Sequence, residues 1–95
     1  MDKKKERIKE AQILKALAHP IRLYIVETLL NGEKCVNDIR ELFDVTQPNI
    51  SQHLNLLRYS GIVDSRQKGN LRCYFLKDPE KIRALIQATK DFFVK

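Results

Sequence analysis

Tryptophan is missing from the 95 residues, histidine occurs only at positions 19 and 53, and cysteine only at positions 35 and 73. Two cysteines are too few for the disulfide framework of a small secreted domain. With two histidines, three glycines and no glycine-rich phosphate loop, no nucleophile, base and orienting group come together, so the chain does not read as an enzyme. No apolar run approaches the roughly 20 residues of a membrane span, and the opening MDKKKERIKEAQ has no apolar signal core. The expectation is a cytoplasmic protein with no membrane partner, no cofactor and both thiols usually reduced.

What is present is a basic, ordinarily globular composition. Hydrophobic residues make up 43% and charged residues 32%, which argues against disorder. Lys and Arg number 18 against 12 Asp and Glu, a net charge of +6 that favours polyanionic partners through counterion release. Proline, glycine and capping residues divide the chain. Lys3 to Leu17 reads as a helix with Ile8, Ala11, Leu14 and Leu17 on one stripe. His19-Pro20 breaks it, and Pro20 suits the first turn of a second helix that ends at Asn31-Gly32. A short extended stretch at Lys34 to Val36 precedes a third helix, Asp38 to Phe43, capped by Asn37. Thr46 caps a fourth helix with Ile50, Leu54 and Leu57 inward, and Gly61 ends it. Ile62 to Gln67 and Leu71 to Leu76 form a hairpin around Lys68-Gly69-Asn70. Asp78-Pro79 starts a last helix carrying Ile82, Leu85, Ile86, Phe92 and Phe93.

The fold class that follows is mainly α with a small β wing: a winged helix-turn-helix of order α1-α2-β1-α3-α4-β2-β3-α5, one domain over residues 1–95. In the fourth helix Gln47, Asn49, Ser51, Gln52 and Asn55 fall mainly on the outward side, as amides and hydroxyls where a merely solvated helix would carry Lys and Glu. Amides pair bidentately with adenine in the major groove, and hydroxyls reach bases or phosphates. Thr46 at the helix start adds a free N-terminus that suits a phosphate. His53 is open between a DNA contact and a half-buried imidazole bonded to backbone, and Tyr59 reads as packing. Arg66, Lys68 and Arg72 surround the hairpin tip, where they suit phosphates or the minor groove, or else simply blunt a strand edge.

Three runs carry a family likeness: LKALAHPIRLYIVETL from Leu14 to Leu29, QPNISQHLNLLRYSGIV from Gln47 to Val63, and CYFL from Cys73 to Leu76. Together they resemble the ArsR/SmtB family of repressors over about residues 10–78. The resemblance implies a homodimer joined by its terminal helices (3–17 and 79–94), a twofold-symmetric duplex DNA operator, and release from it by a small inducer whose identity the sequence does not give.

The family's arsenic site resembles C-V-C-D-L-C, where this chain has Cys35-Val-Asn-Asp-Ile-Arg. Only the first thiol survives, and Arg40 would repel a soft cation. The family's zinc site uses Asp and His on the last helix, where this chain has no histidine. No metal site is expected. Strand alternation instead points Cys35 and Cys73 outward on neighbouring strands, where they could pair if their Cα atoms lie within about 7 Å. That suggests a thiol redox or reactive-sulfur switch, although the family's two-cysteine sensors carry the second thiol on the last helix. Two unrelated cysteines acting as small hydrophobes are the plain alternative. A metalloid- or metal-responsive repressor using Cys35, and a non-sensing winged-helix interaction module, are the other readings.

Overall fold

A computed structural model describes residues 2–43 and 49–94. Five helices and a three-stranded sheet follow the expected order: α1 (Lys3–Leu17), α2 (Pro20–Leu29), β1 (Lys34–Cys35), α3 (Val36–Glu41), α4 (Ile50–Tyr59), β2 (Val63–Lys68), β3 (Leu71–Leu76) and α5 (Pro79–Lys90). The sheet is antiparallel with β3 central, in the order β1-β3-β2. This is a winged helix-turn-helix, with β2 and β3 as the wing. Among the described residues no helix is long and apolar enough to cross a membrane.

Local chemistry explains the boundaries. Asp2 accepts from the Lys4 amide to cap α1, and Asp78 accepts from the Lys81 amide to cap α5, with Pro79 following it. At α2 the cap is His19, whose Nδ1 accepts from the Ile21 amide at 3.1 Å. The wing tip is two residues long. Gly69 takes a φ of 60° at its first position, as a type II′ hairpin turn requires.

Two boundaries differ from the sequence reading. The third helix starts at Val36, with Cys35 in the cap position and no side-chain cap, so Asn37 lies inside the first turn. Cys35 is held extended by its pairing with Cys73, and the chain turns into the helix directly after it. The fourth helix is described from Ile50, with Asn49 before it, whereas Thr46, Gln47 and Pro48 lie outside the described residues. At the other end α5 stops at Lys90, and Phe92 and Phe93 sit in a following turn rather than on the helix.

One apolar cluster holds these elements together. Ile25, Val26 and Leu29 of α2, Ile39 of α3, Leu54 and Leu57 of α4, Val63 of β2 and Ile82 and Ile86 of α5 are all buried in it. At about 2 kcal/mol for each buried aliphatic side chain, this cluster fixes α3 and α4 against the sheet. The α1 stripe behaves otherwise: Leu17 is buried, but Ile8 and Leu14 are 54% and 58% exposed. Phe92 and Phe93 are also exposed, at 91% and 74%.

Candidate nucleic-acid interface

Helix α4 buries Ile50, Leu54 and Leu57 and leaves Asn49, Ser51, Gln52 and Asn55 exposed. Ser51, Asn55 and Arg58 recur at helical spacing, so they form one stripe. Arg40 of α3 donates from Nη2 to Ser51 Oγ at 3.2 Å, which puts a guanidinium at the start of that stripe. At its other end Arg58 and Arg72 both donate to Ser65 Oγ, at 3.3 and 3.4 Å. The stripe therefore runs from the first helix of the pair, along the second, and onto the wing. Uncharged donors and acceptors occupy its middle and guanidinium groups its ends. Of the residues singled out in the sequence, Thr46 and Gln47 lie outside the described residues.

The remaining wing cations point elsewhere. Arg66 Nε lies 2.8 Å from one Glu33 oxygen, and Lys68 bonds the other. The Arg66 guanidinium also sits 4.5 Å over the Phe75 ring, a cation–π contact. The Lys68 ammonium, aided by Arg66, holds the Glu33 carboxyl below its ordinary value despite partial desolvation. Glu33 thus occupies two of the three wing cations.

His53 faces away from the stripe. It is half-buried, its ring centroid is 4.5 Å from that of His19, and its Nδ1 lies 3.1 Å from Arg22 Nη1. Arginine has no acceptor, so His53 Nδ1 must accept and the ring is neutral. Burial, then the neighbouring His19 and Arg22, push its pKa below the usual imidazole value. The same guanidinium donates to Ala16 O at 2.5 Å and Lys15 O at 3.2 Å. Its partner is a side chain from another helix, not the backbone the sequence reading considered.

The thiols meet in a disulfide. Cys35 and Cys73 stand opposite each other in the β1–β3 ladder with Cα atoms 3.7 Å apart, and their sulfurs are bonded. The pairing that the strand arrangement allowed is thus present as a cross-strand bond. Cys73 lies on the face that alternation assigns it, but there it is fully buried. Cys73 and Phe75 share the outer face of the central strand, and that face is covered by Cys35 and by Arg66 over Phe75. Among the described residues no group of three or more His, Cys, Asp or Glu could hold a metal ion.

Residues 19–65 match the model of the bacterial regulatory protein, arsR family. A biofilm growth-associated repressor of Agrobacterium fabrum is 41% identical over 83 residues, covering 87% of this chain and 70% of the relative. The chain belongs to the ArsR family. Among solved ArsR-type structures, the transcriptional repressor BigR from Xylella fastidiosa is 34% identical, covers 100% of this chain and 99% of its own, and superposes with a TM-score of 0.76. A homodimeric winged helix-turn-helix DNA-binding domain from Mycobacterium bovis is 30% identical at a TM-score of 0.79, covering 96% of this chain and 87% of its own.

Four residues that the structure brings to this candidate interface or its supports were not among those singled out from the sequence. In the sequence Arg40 reads only as a repellent to a metal, while Arg58 carries a signal in its helical spacing from Ser51 and Asn55. Glu33 left no sequence signal, and Arg22, though it stands in the family-like run from Leu14 to Leu29, gave no sign of its partners, because they lie on other elements.

Proposed function

We propose that this chain is a sequence-specific transcriptional repressor that binds duplex DNA in the cytoplasm as a homodimer. The observation that carries this reading is the α4 stripe, with Ser51, Gln52 and Asn55 exposed between Arg40 and the Arg58–Arg72 pair. Amides and hydroxyls there read base edges, while the guanidinium groups fix the register on phosphates. Thr46, Gln47 and Asn49 extend the reading face at the start of the helix, Arg66 and Lys68 extend the wing, and His53 serves by orienting α4 rather than by touching bases. Exposed Ile8, Leu14, Phe92 and Phe93 support a dimer through the terminal helices, as does the homodimeric relative. A twofold pair sets the two α4 helices roughly 34 Å apart, one turn of the duplex. Binding to the promoter upstream of its own gene should exceed binding to random duplex at physiological salt by at least about a thousandfold. Equal affinity for both would refute the reading.

The disulfide favours a thiol-switched repressor over a metal-responsive one that would use Cys35, and the repressor relatives disfavour a non-sensing interaction module. In the switch the two thiols give two electrons and two protons to a peroxide or polysulfide and form the Cys35–Cys73 bond. The reduced dimer holds the operator and the oxidised dimer releases it. Operator titrations of oxidised and reduced protein, with Cys73→Ser as control, test this. Identical affinities in both states would refute the switch while leaving the repressor intact.

A further inference from the structure

Between α1 and α4 lies a cleft of about 490 Å³ that the stripe, the wing and the disulfide do not use. Its size falls in the range of about 300–1,000 Å³ typical of small-molecule sites. Ile13 and Ala16 of α1 and Leu56 of α4 form an apolar floor. Three cations, Lys9, Lys15 and Arg22, line it together with neutral polar groups, and no acidic side chain among the described residues does. Tyr59 stands at the edge of the cleft, 96% exposed although it belongs to a packed helix. An apolar floor under a lining whose charged side chains, among the described residues, are all cationic selects a molecule with an apolar body and an acidic group.

The most informative of these cations is Arg22, which is already occupied. It bonds the last carbonyls of α1, Lys15 O and Ala16 O, and reaches His53 on α4. Its hydrogen bonds tie α1 to the DNA-reading helix at this cleft. A carboxylate entering the cleft offers a charged acceptor, which competes strongly with the neutral His53 nitrogen.

We propose that this cleft binds a small amphipathic organic anion whose acid group draws Arg22 away from His53 and so loosens the reading helix on DNA. The proposal rests on the repressor reading and names a ligand class that regulates it. By linkage, operator DNA and the anion weaken each other's binding by the same factor.

Decanoate is a suitable probe, with decanol as its uncharged counterpart. In 15N-correlation spectra of the full chain, decanoate should shift the amides of Ile13, Ala16, Leu56 and Ser60, and decanol should bind at least tenfold more weakly. The exposed double substitution Lys9→Gln/Lys15→Gln should weaken decanoate several-fold, as expected for lost ion pairing at a wet site. Saturating decanoate should lower operator affinity at least fivefold in the wild type, and much less in Arg22→Lys, which keeps the charge but loses the planar fork. Shifts centred instead on Leu14, Leu85 and Thr89, which line a second apolar groove, would overturn the proposal. So would equal binding of decanol, or operator affinity indifferent to decanoate. Operator discrimination measured without decanoate reports separately on the repressor reading.

Discussion

Replacing Glu33 with Gln removes the carboxylate that holds Arg66 and Lys68 and keeps nearly the same shape. Glu33 is the shielded member of this cluster: its side chain is 21% exposed, against 57% for Arg66 and 55% for Lys68. The two cations already reach solvent, so freeing them requires no rearrangement of the wing. Each cation that then meets a phosphate adds about 0.9 to the slope of log affinity against log salt. Two per wing, in a dimer with two wings, steepen the slope by about 3.6. Between about 50 and 200 mM salt the variant should therefore lose roughly a hundredfold more affinity than the wild type, having started tighter. Fluorescence anisotropy on a labelled operator duplex measures both quantities. The gain must vanish when Glu33→Gln is placed on an Arg66→Gln/Lys68→Gln background. With the Cys35–Cys73 bond intact, an unchanged slope, or a gain that survives without those cations, would refute the idea that Glu33 withholds them from DNA.

Other outcomes follow from the same geometry. Arg72→Ala should weaken all duplexes alike and lower the salt slope by about 1 per contact, whereas Gln52→Ala should cost about 1–3 kcal/mol on the operator alone and relax sequence choice. His53 is held below the usual imidazole pKa of about 6.5, so its contribution to stability is complete above that value and is lost as pH falls through its lower folded-state value. Urea titrations of wild type and His53→Gln should accordingly diverge above that range and converge below it, and parallel pH profiles would contradict the assignment. Closing a loop across a sequence separation of 38 should stabilise the fold by about 4 kcal/mol on chain entropy, so a reductant should lower Tm by more than about 15 °C. A negligible shift would mean that the reduced chain is equally constrained.

Much of this architecture was readable because punctuation and periodicity agree. Pro20, Gly61, Gly69 and Asp78-Pro79 mark the breaks, and the apolar spacing of Ile50, Leu54 and Leu57 orients α4 without any tertiary information. The juxtaposition of Cys35 and Cys73 also followed from fold and alternation. Their environment did not. Alternation assigns a strand residue to a face but is silent on what covers that face, and here Arg66 and Phe75 roof the outer side of β3. The third-helix cap failed for a related reason: Asn37 has the better capping chemistry, but pairing of Cys35 with Cys73 fixed where extended backbone ends. Contacts such as Arg22 with His53, 31 residues apart, depend on how whole helices approach and leave no local pattern.

The position of the disulfide gives the proposed thiol switch a route to the wing cations. Cys35 is at once the last residue of β1 and the residue before α3, and Cys73 pairs across the central strand with Arg66 on its other side. Glu33 lies two residues before Cys35, so the bond that holds β1 to β3 also holds Glu33 beside the wing cations. A ladder of two residue pairs is too short to persist on its own, since strands normally run about 5–6 residues. Breaking the Cys35–Cys73 bond should therefore release β1 and carry Glu33 away from Arg66 and Lys68. Reduction and the Glu33→Gln change then act on the same two cations and cannot add. In the oxidised protein Glu33→Gln should raise operator affinity, and in the reduced protein it should do almost nothing. If the substitution gave the same gain in both states, the thiol pair and the wing clamp would be independent, and oxidation would have to act through α3 instead.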